Sequence, residues 1–292
     1  MDRKVALQIQ GSGPWRQTAK IMADVGFRHV AIVTNEALLC RDDWKDEIAR
    51  MGELFAEYGL TCIQTHAPYY NLLLSAEMRE ERLETALLRS IEAAKMLGAE
   101  LCAVHPRSVI IPNEPREAAV DRARSLEENL IAFRPLIEEC EKQNVLLGIE
   151  NLMKYPDAFP YFYSWIAEDH AELIDKLNSD KAVGVWDFGH ANLIETDHAT
   201  RIRTLGKRIK ATHVHNNDGR DDNHYPPFLP PQDAYFVRRS VDWNNVLAAM
   251  REIGYDGYLT LESIIHHDYP IEGYIRYLYD SVCALEDILK GE

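Results

Sequence analysis

The chain alternates short runs of apolar and β-branched residues with longer stretches in which apolar residues recur every three or four positions. The short runs, at 5–9, 29–34, 61–67, 101–105, 145–150, 182–187, 209–215 and 257–262, predict eight strands. Amphipathic helices are predicted between them. Leu83, Leu87, Ile91, Ala94 and Leu97 form one apolar stripe, with Ser75 placed as an N-cap and Gly98 as the residue just past the C-terminus. Ala119, Ala123, Leu126, Leu130, Phe133, Ile137 and Cys140 form another. Pro135 lies inside that second stripe and predicts a kink or break, because a proline removes one helical hydrogen bond and crowds the preceding turn. The stripe crosses it, so a single helix is expected. Ile275, Leu278, Val282, Leu285 and Ile288 predict the helix that closes the eighth unit.

Eight strand-then-helix units with no Ser/Gly linker or low-complexity tract predict an α/β fold, a single (β/α)8 TIM barrel with residues 1–292 as one domain. A doubly wound sheet is the alternative. It is disfavoured because no G-x-G-x-x-G follows the first strand: Gly11 and Gly13 are followed by Pro14, and no G-K-[ST] loop exists.

Composition narrows the reading further. The chain has 292 residues, 46% of them hydrophobic, enough to bury a large core. A formal net charge of −15 makes a nucleic acid or an acidic membrane an unfavourable partner. Cys40, Cys62, Cys102, Cys140 and Cys283 are scattered without close pairs, and no apolar run has signal-peptide or transmembrane length. A reduced, cytoplasmic setting is therefore expected, with no membrane contact.

In such barrels the chemistry sits where strands end, so ligand-type side chains should cluster at the last positions of strands. Six consecutive strand ends satisfy this: His66, His105, Glu150, Asp187 with His190, His215, and Glu262, at intervals of about one β/α unit. Three of the carboxylates, Glu150, Asp187 and Glu262, each close an apolar run, where a charge needs a cation or a partner. The seventh strand is the densest. His213 and His215 share one face of it, and Asp222 and His224 follow at a D-x-H spacing. His213 lies one pleat deeper than His215 and is read as a histidine that supports the ligands from behind or fills the barrel interior, leaving His215 as the preferred ligand. For Asp222 and His224, a solvated loop is almost as good a reading as a ligand or lid role.

At these positions the chain resembles the xylose-isomerase-like superfamily, which includes sugar isomerases and epimerases and the endonuclease IV type of apurinic-site nuclease. Likeness to the mononuclear epimerases implies that Glu150, Asp187, His215 and Glu262 hold one divalent metal (zinc, manganese or magnesium), with His190 facing the substrate. Likeness to the endonuclease IV type implies that His66, His105, His190, Asp222 and His224 join those four around three metals. The loops depart from that nuclease type: His105-Pro106-Arg107-Ser108 and Glu150-Asn151-Leu152-Met153 stand where glycine-rich signatures are expected.

The favoured chemistry follows from the residue types. Isomerising or epimerising a sugar means removing a proton from a carbon beside a carbonyl, and carboxylates on either side of the substrate can take and return it. Glu150 and Glu262, from strands five and eight, are the expected acid–base pair, with Asp187 and His215 chiefly ligands. The alternative, phosphodiester hydrolysis, asks for two or more metals, and the five extra ligand-type residues leave it open. His66, His105 and His190 are expected at the substrate. Lys154 and Arg220, with Arg107, lie just past strand ends where a cation can hold a phosphate or acid group, although solvated surface charge is the simpler reading. The expected ligand is a small sugar or sugar phosphate. The aromatic segment 154–165 is a candidate lid or contact between copies in a homo-oligomer, and packing against its own barrel explains it equally well.

Overall fold

The eight apolar runs form eight parallel strands that pair in chain order and close on themselves: β1 (Val5–Gln10), β2 (His29–Val33), β3 (Thr61–His66), β4 (Leu101–Val104), β5 (Leu146–Glu150), β6 (Ala182–Asp187), β7 (Ile209–Val214) and β8 (Leu259–Leu261). Each lies within two residues of its predicted bounds. This is a computed structural model, and it describes residues 3–11, 13–69, 81–109, 118–153, 163–194, 197–228, 239–265 and 270–291.

Helices cover the outside: α1 (Trp15–Val25), α2 (Glu36–Leu39), α3 (Trp44–Glu57), α4 (Glu81–Leu97), α5 (Ala118–Gln143), α6 (Ala167–Leu177), α7 (Phe188–Asn192), α8 (His198–Leu205), α9 (Trp243–Glu252) and α10 (Ile271–Lys290). The stripes read from the sequence face the barrel; Leu83, Leu87 and Ile91 of α4 and Ile275, Leu278, Val282 and Leu285 of α10 are buried. Gly98 ends α4 at φ +75°, with its N–H donating to Lys95 O. Ser75, the expected N-cap, lies outside the described residues. Helix α5 runs unbroken through Pro135. The buried Glu286 carboxylate of α10 accepts from Arg3 Nη1 at 3.0 Å and from the Lys4 N–H at 2.8 Å, joining the last helix to the first strand.

Strand residues that face away from the helices make a separate small apolar cluster inside the barrel: Leu101, Ala103, Val183, Val185 and Ala211. Gly148 belongs in this layer because a Cβ there would meet Leu101 Cδ2 and Val185 Cγ2 at 2.6 Å each. The small apolar layer forms a floor, and polar side chains occupy the strand ends. All five cysteines are free, and among the described residues no helix is long and apolar enough to cross a membrane.

Candidate metal centre

Parallel pairing points every strand's C-terminal residue to the same end, so side chains far apart in sequence meet there. His66, Glu150, Asp187, His190, His213, His215 and Glu262 are all buried, and His105, Asp222 and His224 are nearly so. Their donor atoms fall into three groups, each lying within 4.8 Å: His66, Glu150 and His213; Glu150, Asp187, His213 and Glu262; His190, His215, Asp222 and His224. Glu150 and His213 are shared between the first two.

The glutamates form the centre. Glu150 Oε2 is 3.1 Å from His66 Nε2, 3.3 Å from His105 Nε2 and 3.1 Å from His213 Nδ1, while its Oε1 is 3.1 Å from His190 Nδ1. His213 Nδ1 also lies 3.0 Å from Glu262 Oε2, so the two glutamates meet across one imidazole. Glu262 Oε1 accepts a hydrogen bond from the Tyr69 hydroxyl at 3.3 Å. The second centre is Asp222, whose Oδ2 lies 3.0 Å from His224 Nε2 and 3.4 Å from His190 Nε2. His215 Nε2 joins the centres, at 3.1 Å from Asp187 Oδ1 and 3.8 Å from Asp222 Oδ1. The rings of His215 and His224 stack at 3.9 Å.

Backbone groups orient several rings. A carbonyl can only accept, so the ring nitrogen facing one carries the hydrogen and the other nitrogen turns toward the carboxylates. His66 Nδ1 donates to Ala67 O at 2.7 Å, His190 Nδ1 to Asn151 O at 2.9 Å and His224 Nδ1 to Glu262 O at 2.7 Å. Asp187 is positioned by Asn151, which accepts from its N–H at 2.7 Å and donates to its carbonyl at 3.0 Å. The Asp187 carboxylate in turn caps α7, accepting from His190 N–H at 2.6 Å. Gly189 lies against the His215 ring, and a Cβ there would come to 1.9 Å from His215 Cε1.

Four carboxylates in so small a volume set the electrostatics. Burial works to raise the Glu150 carboxyl, but His213 and His105 beside it hold it well below the ordinary carboxylate range. Glu262 is held low against burial chiefly by His213, and Asp222 chiefly by His190. The imidazoles respond in the opposite sense. Burial opposes charge on His213, His190 and His224, yet Glu150 and Glu262 raise the first, Asp187 and Asp222 the second, and Asp222 brings His224 up to about 9. His105 instead goes down, because burial outweighs Glu150.

Glu150 Oε1, Glu262 Oε2, Asp222 Oδ1, His105 Nε2 and His213 Nδ1 are buried without a hydrogen-bond partner. Buried polar atoms of this kind are otherwise nearly always satisfied. A set of carboxylate oxygens and imidazole nitrogens with unused lone pairs suits a divalent ion such as zinc or manganese. The residues present therefore fit a metal.

The structure brings together the nine rim residues picked out from the sequence and adds one. His213, read from sequence as an interior or supporting histidine, is fully buried and shares a donor group with Glu150, Asp187 and Glu262; His215, the expected ligand, groups with His190, Asp222 and His224 and lies 3.1 Å from Asp187 Oδ1. The reason is register. A one-residue irregularity between β6 and β7 brings His213, not Thr212, alongside Asp187. Its parity with His215 and its deeper level were readable; the irregularity that sets that level beside Asp187 was not. Tyr69 and Asn151 were also missed, since neither residue type stands out until its neighbours are placed.

A cavity of about 710 Å³ opens on these groups. His105, His190, Asp222, His224 and Glu262 border it, as do Tyr69, Gln8, Trp15 and Met153. Arg220, expected at the substrate, is not among the described residues that border it: it is exposed, and its N–H donates to Asp218 Oδ1 at 2.9 Å in the loop after β7. Arg107 is buried, its backbone N–H and carbonyl paired with the Asn129 side chain at 2.7 Å each. Lys154 and most of the aromatic segment, 154–162, lie outside the described residues.

Comparison with known proteins places this geometry. Residues 19–281 match the model of a family described as xylose isomerase-like TIM barrel. An uncharacterized protein of Methanocaldococcus jannaschii is 25% identical over 205 residues, 69% of this chain and 64% of that protein. A D-psicose 3-epimerase of Enterocloster bolteae is 27% identical over 192 residues, 66% of this chain and 56% of that enzyme. The chain thus spans less than two thirds of the length of these relatives. Two crystal structures share its fold. A D-psicose 3-epimerase with D-fructose has TM-score 0.70 at 15% identity, covering 99% of this chain and 100% of its own. The 3-keto-D-glucoside 4-epimerase of E. coli has TM-score 0.70 at 19% identity, covering 97% and 98%.

Proposed function

Because this chain belongs to the xylose isomerase-like TIM-barrel family, we propose that it is a metal-dependent isomerase or epimerase of a sugar, moving a proton on a carbon beside a carbonyl. The observation that carries the reading is the pair of glutamates. Glu150 ends β5, Glu262 directly follows β8, the two flank the same His213 nitrogen, and Glu262 borders a cavity of small-sugar size. The likeness to a D-psicose 3-epimerase supports a sugar as the substrate class.

Glu262 borders the cavity and takes the proton from carbon. Its environment holds it ionised at neutral pH, as a base must be, and the Tyr69 hydroxyl fixes the orientation of one oxygen. Burial first, and then Glu262 and Glu150, raise the Tyr69 phenol, so it remains a donor. Glu150, across His213, is the expected partner carboxylate of the pair, and its burial among four imidazoles suits it to hold the ion. His190, on the cavity wall with its Nε2 3.4 Å from Asp222 Oδ2, is placed to meet the substrate oxygen that gains charge. A divalent ion held by Glu150, Asp187, Glu262 and His213 or His215 would polarise the carbonyl and stabilise negative charge on two substrate oxygens.

One observation favours a second reading. His190, His215, Asp222 and His224 make a ligand group without either glutamate, which suits the several ions of a phosphodiesterase. Metal content of the purified protein separates the two. About one tightly held divalent ion per chain supports proton transfer, and about three supports phosphoester cleavage. Solvent-deuterium exchange into a sugar panel is the direct test. No exchange with any sugar, together with cleavage of abasic DNA, rules the epimerase reading out.

A further inference from the structure

Gln8 lines the same cavity and belongs to none of the ligand groups. It is 5% exposed, and neither its Oε1 nor its Nε2 has a hydrogen-bond partner. Burying an amide unpaired costs stability, so a side chain kept in that state inside a cavity wall points to a ligand that completes it. Its neighbour Gln10 differs, because its side chain is exposed enough to reach water and bonds Tyr69.

Position adds to this. β1 pairs with β8 as Val5 with Leu259, Ala6 with Thr260 and Leu7 with Leu261; the next step of that register sets Gln8 beside Glu262. A group bound by the Gln8 amide is thus next to the carbon that Glu262 serves. Among the described residues no lysine or arginine lines the cavity, and Trp15, Met153 and Ile264 make part of its wall apolar. The basic groups on its described wall are the imidazoles of His105, His190 and His224, each already facing a carboxylate.

We propose that Gln8 is the specificity-determining residue of this cavity, reading two neighbouring hydroxyls of an uncharged polyol. Its Oε1 accepts from one hydroxyl and its Nε2 donates to the other, a pairing that a vicinal diol can meet and a deoxy analogue cannot. The inference names the substrate class of the proposed sugar chemistry and rests on that reading for the reaction, though not for binding. A site built around a hydroxyl discriminates strongly against its absence, since the buried amide is then left unpaired.

The test is calorimetric titration of the metal-loaded protein with five- and six-carbon sugar alcohols, their monodeoxy analogues and their phosphates. Wild type is expected to bind one alcohol at least about tenfold more tightly than its analogue lacking the hydroxyl at one position. Gln8→Met should bind the two equally and weakly, with unchanged metal content. Thermal unfolding supplies a readout that a structural glutamine would not give: the ligand-free Met variant should unfold at the wild-type temperature or above, having lost an unpaired buried amide. The proposal is overturned if wild type binds no polyol, if phosphates bind better than free alcohols, or if the Met variant keeps the discrimination or unfolds early. Polyol binding that depends on Gln8, without proton exchange in any sugar, would sink the epimerase reading and leave this one standing.

Discussion

The two glutamates are not equivalent. Glu262 faces the cavity, whereas Glu150 is wholly buried among four imidazoles. Glu262→Gln is therefore expected to slow solvent-proton exchange by about 10²- to 10⁴-fold with metal retained. Glu150→Gln should lose metal as well, and elemental analysis beside the exchange rate checks both. His170, outside the site, governs acid stability. Its Nε2 donates to Ile149 O at 2.7 Å, its Nδ1 is unpartnered, and burial brings its pKa down to about 4. Folding thus favours the neutral ring, so this stability is complete above pH 6.5 and lost as pH falls toward 4. The loss approaches roughly 3 kcal/mol. His170→Gln should flatten that part of a urea-denaturation series against pH. At this scale the sequence was readable where a charged residue closed an apolar run, as at Glu150, Asp187 and Glu262. It was not readable in the partners of His213, because alternation and depth within one strand are local while barrel stagger decides which neighbouring side chains meet it.

The elements themselves were legible almost throughout. Each strand is a dense apolar run a few residues long, and each described helix stripe repeats every three or four residues; these periods survive any tertiary arrangement. What they omit is spacing between neighbouring strands, which two glycines control. At Gly148 the floor of the barrel has no room for a methyl group, so Gly148→Ala should cost about 1–3 kcal/mol in urea unfolding through overpacking. Gly189 leaves room for the His215 ring at the start of α7. Gly189→Ala should displace that ring and weaken metal binding by about 10- to 100-fold, read by competition with a chelating dye, with fold retained. A contrary outcome, full affinity in the alanine variant, would remove His215 from the ligand set.

For the whole molecule, closure of the barrel converts six separate strand ends into one concentration of negative charge, within a chain already at −15. Without a cation the imidazoles supply the compensation, which is why His190, His213 and His224 are raised. Metal uptake must displace those protons. Binding of zinc or manganese to chelator-treated protein should release protons at pH 7 and tighten as pH rises toward about 9, and calorimetry in buffers of different ionisation enthalpy measures the number. Chelation should also lower the unfolding temperature, because the ion binds the folded chain alone. One arrangement bears on how such a site persists through sequence change. His66, His190 and His224 have their tautomers set by main-chain carbonyls of Ala67, Asn151 and Glu262. A carbonyl is encoded by no particular codon, so drift at those three partner positions leaves the acceptor in place. Inheritance of the ring orientations then depends on the barrel backbone, and selection on side chains is left free to remodel the pocket around them.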